Sequence, residues 1–353
     1  MSKKTQLALE NYQRFRKELK AGTLHPIYVF HGEEDYLREN YRRELRKKLV
    51  DGPAEDFNYH RFTVEDFSLQ AFSDAVNAVP MMSEYTLVEL LDINLFSQST
   101  ADGKILAEIL ENIPEYCILL LVYAEIQWEQ KQLSQKRWAS IQDKVFPVEF
   151  VFQTESALIP WLNQHLKALH KTMTPELCRY LIFQTGSSMT AMDSELEKLA
   201  CYTEQEEITK EDIDAVVTPV PTAALYNLTD AIMRKNFTMV LQTLQTLLRQ
   251  DEDPIKLNST IGTQFQQLYT AKLLQERRRS ASELCVYFPA LRPRVWLANN
   301  IYNQAKYFHK NTLKQAIRLC AETDYAMKTS GDNDEQLLQM MILRLANVCQ
   351  EGH

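Results

Sequence analysis

The chain has 353 residues, more than one typical hydrophobic core holds, so about two or three domains are expected. Its formal net charge of −8 argues against a protein that coats nucleic acid unaided, because phosphate binding depends on Lys and Arg. The longest apolar run, around 117–124, suits a buried strand better than a membrane span. Six scattered cysteines without a C-x-x-C pair are typical of a reducing compartment, so we expect a cytoplasmic protein.

Residues 1–152 alternate β-rich runs with segments of helical period. The predicted strands are 27–30, 59–63, 86–91, 118–123 and 148–152. The predicted helices between them are 35–49, 68–78 and 101–112. Strands and helices in alternation favour a mainly parallel sheet covered by helices, so this part is predicted to be an α/β domain.

Residues 153–219 have the pattern of a small helical domain. Pro160 is expected to open one helix, and Thr174, followed by a proline, is expected to cap the next. Thr209 and Asp212 form a capping box ahead of an apolar stretch. These signals predict short helices with defined starts.

The segment 218–221, Thr-Pro-Val-Pro, cannot continue a helix and indicates a domain boundary. Residues 220–353 then show apolar stripes with helical spacing, as in a bundle. Representative stripes are Leu225, Leu228 and Ile232; Ile261, Phe265 and Leu268; Leu338, Met341 and Leu345.

The glycines argue against a nucleotide site. There are eight in the chain, and no two lie closer than ten residues apart. A loop that cradles phosphates needs clustered glycines, so that consecutive backbone N–H groups can close on the anion. Gly103 is followed by a lysine, but the upstream glycine and the hydroxyl residue of a phosphate loop are missing. We therefore predict no phosphate-binding loop, and no bound cofactor.

Three further features of the sequence could be either functional sites or ordinary parts of the fold. Segment 87–92 looks like an acid-ended strand of a nucleotide site, but a strand leading into a turn is favoured. His165 and His170 are five residues apart and do not share a helix face, so surface or packing histidines are favoured over metal ligands. A solvated helix face is favoured over a DNA-binding surface for two basic stretches, which are Arg38, Arg42, Arg43, Arg46, Lys47 and Lys48, and 277–279.

The segment 25–37, His-Pro-Ile-Tyr-Val-Phe-His-Gly-Glu-Glu-Asp-Tyr-Leu, resembles the opening of the delta subunit family of bacterial DNA polymerase III. In ATPase relatives the turn after the first strand is the phosphate loop. Here it carries Glu33, Glu34 and Asp35, which suit a helix dipole and would repel a triphosphate.

Further segments resemble the same family in the same order. They are 184–199, 208–213, 227–232 and 321–329. In the first of these, Met189 and Thr190 stand where ATP-using relatives place a nucleotide-sensing arginine. The resemblance is collinear over nearly the whole chain, and its specificity lies in the order and spacing of the segments.

The resemblance implies an architecture and a set of partners. It implies an AAA+-like (RecA-like) domain with a degenerate nucleotide site at 1–152, a helical lid at 153–219, and a helical collar at 220–353. The first domain would bind the beta sliding clamp, and the collar would hold sister subunits of the tau/gamma and delta-prime type. Primed DNA would be met only within the assembled loader.

The resemblance also implies a clamp-gripping hydrophobic pair just before the third strand, which here is Met81 and Met82. Methionine is long and flexible, and it can fill an irregular pocket on a partner. From the residues alone, the alternative is that one or both belong to the core that leads into the strand.

The function implied is that of a non-catalytic subunit of a DNA-directed DNA polymerase, a nucleotidyltransferase holoenzyme, which binds and opens the clamp. No catalytic residue and no metal ligand is predicted. The main alternative is an active AAA+ ATPase, which the missing phosphate loop disfavours. A helical scaffold without a role in replication is a further alternative that only the resemblance opposes.

Overall fold

A computed structural model describes residues 3–97, 100–233, 236–249, 253–292, 295–331 and 333–351. The chain forms two compact units. The first comprises Met1–Ile182 and Gly186–Val216, and the second comprises Phe183–Thr185 and Val217–His353. The ends of the predicted first and third domains, residues 1–2 and 352–353, lie outside the described residues.

The first unit is built on a five-stranded sheet with the order β2-β3-β4-β1-β5. Its strands are β1 (Ile27–His31), β2 (Tyr59–Phe62), β3 (Thr86–Leu91), β4 (Cys117–Val122) and β5 (Val145–Glu149). Each neighbouring pair is parallel, which confirms the predicted α/β class. The fifth strand begins three residues earlier than expected and contains Pro147. A proline is tolerated there because β5 is an edge strand, where the missing N–H costs no ladder hydrogen bond.

Helices cover both faces of this sheet and continue beyond it. They are α1 (Lys3–Ala21), α2 (Asp35–Val50), α3 (Glu55–Asn58), α4 (Leu69–Val76), α5 (Thr100–Glu111), α6 (Glu155–Ala168), α7 (Pro175–Thr185), α8 (Met189–Tyr202) and α9 (Lys210–Val216). Side chains of β1 alternate between two cores. Val29 packs among apolar residues of one face with Phe72, while Phe30 meets the ring of Phe15 on the other. A parallel sheet buried on both faces explains why its strands are nearly continuous apolar runs.

Two of the predicted helix starts are confirmed, and one is wrong. The side chain of Thr174 caps α7, and Thr209 and Asp212 each accept from the other's backbone N–H at the first turn of α9. Pro160, however, lies inside α6, which begins at Glu155. The helix therefore starts before the proline, so a Pro-Trp-Leu sequence was not a start signal here.

The second unit is helical in its described residues. Its helices are α10 (Pro221–Met233), α11 (Phe237–Arg249), α12 (Pro254–Glu276), α13 (Leu284–Tyr287), α14 (Val295–Gln304), α15 (Lys310–Thr329) and α16 (Asp334–Glu351). The predicted stripes face one core, in which Leu228, Phe265 and Leu345 are fully buried. Helix α10 begins at Pro221, so the proline break precedes it as predicted. Within the described residues, no helix has the length and apolar character needed to cross a membrane.

Candidate partner-binding loop and degenerate nucleotide site

The segment 77–85 connects α4 to β3 at the amino-terminal edge of the sheet, and we refer to it as the methionine loop. Its first residues are tied to the sheet. The Tyr116 hydroxyl donates to the carbonyl of Asn77 (3.3 Å), and the Thr86 hydroxyl donates to the carbonyl of Ala78 (2.9 Å). The loop therefore leaves α4 along a fixed path.

The middle of the methionine loop is held by two polar side chains. The Asn58 amide bonds both backbone groups of Met81: Nδ2 donates to its carbonyl and Oδ1 accepts from its N–H, each at 2.7 Å. The Ser83 hydroxyl donates to the carbonyl of Leu49, in the last turn of α2 (2.9 Å). Asn58 is buried, so these bonds are shielded from water.

The two methionine side chains project from this tethered backbone. Met81 is 52% exposed and Met82 is 90% exposed. The alternative that one or both belong to the core is therefore wrong, while their binding to a clamp stays a prediction. Val79 in the same loop and Phe57, next to Asn58 in the sequence, are exposed as well. Three large apolar side chains exposed on one loop, those of Val79, Met81 and Met82, are typical of a site that binds another protein.

Met82 has φ = +52°, in the left-handed region. Residues other than Gly, Asn and Asp adopt this region rarely, because the Cβ atom crowds the following carbonyl oxygen. Such strain persists only where the surrounding structure imposes it, and it occurs often at functional sites.

At the opposite edge of the sheet, the turn between β1 and α2 is closed by the chain itself. The N–H of Phe150 donates to the carbonyl of His31 (2.7 Å), and the N–H of Glu34 donates to the carbonyl of Phe150 (3.0 Å). Gly32 has φ = +119°, and a Cβ atom there would collide with the Phe150 backbone. This glycine thus permits close approach of the segment after β5.

The Glu34 carboxylate is buried at the start of two helices. Oε1 accepts from the N–H of Tyr36 at the start of α2 (3.2 Å), and Oε2 accepts from the N–H of Met189 at the start of α8 (3.3 Å). Burial raises the pKa of Glu34, and these two N–H groups oppose the rise. The positive ends of two helix dipoles thus meet an anion that the chain itself supplies.

Two of the six basic residues in this stretch of α2, Arg38 and Arg42, serve the interior. Arg38 donates to the carbonyl of Gly32 (2.7 Å) and to Asp35 (2.5 Å). Arg42 forms an ion pair with the buried carboxylate of Glu89 on β3. The favoured interpretation of a solvated face is therefore wrong for Arg38 and Arg42, while Arg43 is exposed as that interpretation requires.

Asp92, the acidic end of segment 87–92, is engaged by backbone. Its Oδ1 accepts from the N–H of Ala124 (2.8 Å) and of Glu125 (2.9 Å), in the turn after β4. Strand β3 ends at Leu91, so a strand leading into a turn is confirmed. The Asp92 carboxylate therefore holds the backbone of the turn that follows β4.

An open cavity of about 540 Å³ lies at the carboxyl edge of β1, β4 and β5, where ligands of parallel α/β sheets bind. Its acidic lining residues are Glu33, Asp35, Glu125 and Glu149. His165 bonds the Tyr36 hydroxyl (2.8 Å) and the Trp161 carbonyl (3.0 Å), as a packing histidine does. Among the residues that the structure describes, no group of three His, Cys, Asp or Glu side chains could hold a metal ion.

Comparison with known proteins gives two family matches. The family model described as DNA polymerase III, delta subunit, matches residues 28–141. A second model, which describes the C-terminal domain of the DNA polymerase III delta subunit, matches residues 222–345. The chain belongs to the DNA polymerase III delta subunit family. The family resemblance of the sequence is thereby confirmed.

Individual proteins are similar over most of their length. DNA polymerase III subunit delta of Bacillus subtilis is 26% identical over 339 residues, which are 93% of this chain and 95% of that protein. The probable DNA polymerase III subunit delta of Aquifex aeolicus is 20% identical, covering 71% of this chain and 72% of that protein. The solved Bacillus subtilis DNA clamp loader delta protein is 24% identical with a TM-score of 0.45, covering 96% of this chain and 99% of that chain.

Membership of this family makes the chain a subunit of DNA polymerase III, a nucleotidyltransferase complex that replicates DNA. Its first unit has the parallel α/β sheet covered by helices that the sequence predicted.

Proposed function

We propose that this chain binds the beta sliding clamp through the methionine loop and opens it without hydrolysing ATP. The observation that carries the proposal is the exposure of Met81 and Met82 on a backbone that is tied to the sheet and to α2. Binding energy at protein interfaces is concentrated in a few apolar anchors that fill pockets on the partner. Two long, adaptable side chains at a fixed position meet that requirement.

Opening a ring requires a difference in affinity. A closed clamp is held by its own subunit interfaces, and a binding protein shifts it to the open form only by binding that form more tightly. A loop that yields on binding would adapt to either form and lose this difference. The ties at Asn58 and Ser83 resist such adaptation.

Three features support a chain that uses no nucleotide of its own. The Glu34 carboxylate already occupies the paired helix starts that would attract a phosphate. Asp92 is engaged by backbone N–H groups. The carboxylates that line the neighbouring cavity would repel a triphosphate.

The division of labour follows the predicted domains. Residues 1–152 bind the clamp, 153–219 form the lid, and 220–353 form the collar that joins subunits of the tau/gamma and delta-prime type. Primed DNA is met within the assembled loader, in the cytoplasm. The change from a parallel sheet to helices alone along the chain supports this division.

The test is to mix the full chain with its cognate clamp, with and without ATP, and to detect the complex by gel filtration. We expect a complex of the same stability in both conditions. An ATP-dependent complex would favour the alternative of an active AAA+ ATPase. Fluorophores on the two sides of a clamp interface would report opening, and binding without their separation would contradict the opening step.

A further inference from the structure

We propose that Asn58 is a positioning residue, which sets the geometry of the methionine loop for clamp binding although it does not touch the clamp itself. This inference rests on the proposed function and deepens it. It assigns the rigidity of the loop to one buried side chain, which is distant in sequence from the residues that would make contact.

The geometry resembles one step of strand pairing. A carboxamide presents a donor and an acceptor in one plane, and Asn58 offers them to the N–H and C=O of the same residue, Met81, at 2.7 Å each. Two bonds to one residue fix the direction of its peptide groups as well as its position. Burial of the amide strengthens both bonds, because no water competes for them.

Asn58 is itself rigidly placed. It ends α3 and directly precedes β2, in which Tyr59 pairs with Leu87 and Phe62 with Leu90 of β3. The loop that Asn58 holds leads into the start of that same β3. The Asn58 amide therefore connects the start of β2 to the loop that leads into β3. Because both strands belong to the sheet, the sheet restricts the motion of Met81.

No other side chain offers the same pair of bonds. An aspartate has no donor for the Met81 carbonyl and would place a negative charge against it. A glutamine carries the amide on a chain one methylene longer. An alanine leaves both backbone groups of Met81 without their partner.

The strained backbone at Met82 depends on this tie. Its left-handed conformation is disfavoured for a long side chain, so the loop would leave it once the flanking residue is released. A change of φ to a negative value would redirect the Met82 side chain. We therefore infer that Asn58 fixes the direction in which the Met82 side chain projects from the loop.

The experiment measures clamp affinity of the full chain for Asn58→Ala, Met81→Ala/Met82→Ala, and the triple variant, at a temperature well below each melting transition. We expect Asn58→Ala to weaken binding about tenfold, the scale of the entropy lost in ordering a few interface side chains. In the double-alanine background, Asn58→Ala should have no further effect, because the groups that it positions are gone. Asn112→Ala is the matched control, since that exposed amide donates to the carbonyl of Glu108 in α5 and lies outside the methionine loop.

The outcomes separate the two hypotheses. Wild-type affinity of the double-alanine variant overturns the proposed clamp contact. Loss of affinity there, with wild-type affinity for folded Asn58→Ala, overturns only the positioning role. An equal loss on adding Asn58→Ala to the double variant would also overturn it, since a merely structural effect is independent of the methionines.

A second measurement keeps the inference testable if Asn58→Ala does not fold. In wild-type protein the Met81 N–H donates to a buried amide oxygen. We expect its hydrogen exchange to be slowed at least about tenfold relative to an unstructured peptide. Exchange at the unstructured rate would show that the tie is absent in solution and would overturn the inference.

Discussion

The carboxylate of Glu34 accepts a hydrogen bond from the backbone N–H of Met189, 155 residues further along the chain. The same carboxylate accepts from Tyr36 at the start of α2. One side chain therefore joins the turn after β1 to the helix that begins at Met189. From this turn α2 runs to Leu49, whose carbonyl accepts from Ser83 of the methionine loop. A helix of 16 residues, about 24 Å long, thus connects the turn after β1 with the methionine loop.

Replacing Glu34 should show what this internal anion contributes. Glu34→Ala leaves two buried N–H groups without their acceptor, so we expect the free energy of unfolding to fall by about 1–2 kcal/mol. Glu34→Gln keeps one acceptor oxygen but turns an NH2 group toward the second N–H, so its stability should lie between those of wild type and Glu34→Ala. Chemical denaturation measures both, and Glu33→Ala, an exposed neighbour, should change stability little. A loss for Gln as large as that for Ala would mean that a single acceptor oxygen does not stabilise this site.

The raised pKa of Glu34 predicts a dependence on pH. The folded state holds a proton on this group more tightly than the unfolded state does, because burial disfavours the carboxylate. Its contribution is therefore greatest below the unfolded pKa and is lost as the pH rises through the folded pKa. The free energy of unfolding of wild type, minus that of Glu34→Gln, should increase as the pH is lowered from 7 toward about 4. A decrease over that range would contradict the assigned direction.

Removing both methionine anchors should separate binding from folding. For Met81→Ala/Met82→Ala we expect clamp affinity to fall by about 2–4 kcal/mol. The melting temperature should change little, because both side chains are exposed and make few core contacts. Surface plasmon resonance and thermal melts on the same preparation measure the two effects. A lowered melting temperature with unaltered affinity would contradict the role of the pair.

Met82→Gly should keep or raise the free energy of unfolding and weaken binding to the clamp. Glycine adopts positive φ without steric cost, so the substitution relieves strain of about 1 kcal/mol. Part of this gain is offset by the greater freedom of glycine in the unfolded chain. We expect equal or higher stability with weaker clamp binding, whereas Met82→Ala should bind weakly without the gain. Lower stability for Gly than for Ala would show that the backbone there is not strained.

The buried pair of Arg42 and Glu89 makes a separate prediction about stability. Arg42→Met leaves the Glu89 carboxylate buried, and the Tyr59 hydroxyl is then its one remaining side-chain partner among the described residues. The free energy of unfolding should therefore fall by about 3 kcal/mol. Adding Glu89→Gln removes the unpaired charge and keeps an acceptor for Tyr59. The double variant should therefore be more stable than Arg42→Met alone in urea denaturation. Additive losses would mean that the two groups do not interact.

Calorimetry with ATP and Mg²⁺ tests the proposed lack of nucleotide use. We expect no saturable binding to the isolated full chain in the micromolar range, because the helix starts at Tyr36 and Met189 already face the Glu34 carboxylate. Binding at micromolar affinity, or hydrolysis above a heat-treated control, would contradict this expectation.

Sequence alone determined the features that depend on neighbouring residues. Period and propensity gave the parallel sheet to within a few residues at most strands, and Thr209 with Asp212 formed the box that their spacing predicts. The scattered glycines excluded a phosphate loop because such a loop is a local structure. The resemblance placed Met81 and Met82 before the third strand, which is where they lie.

Only the tertiary structure decided whether those methionines are buried or exposed, because a methionine suits a core and an interface equally well. It also decided the partners of Asn58, Arg42 and Glu34, which lie 23, 47 and 155 residues away. Local sequence fixes backbone conformation through short-range sterics and hydrogen bonds, whereas a buried polar group takes whichever partner the folded chain brings beside it.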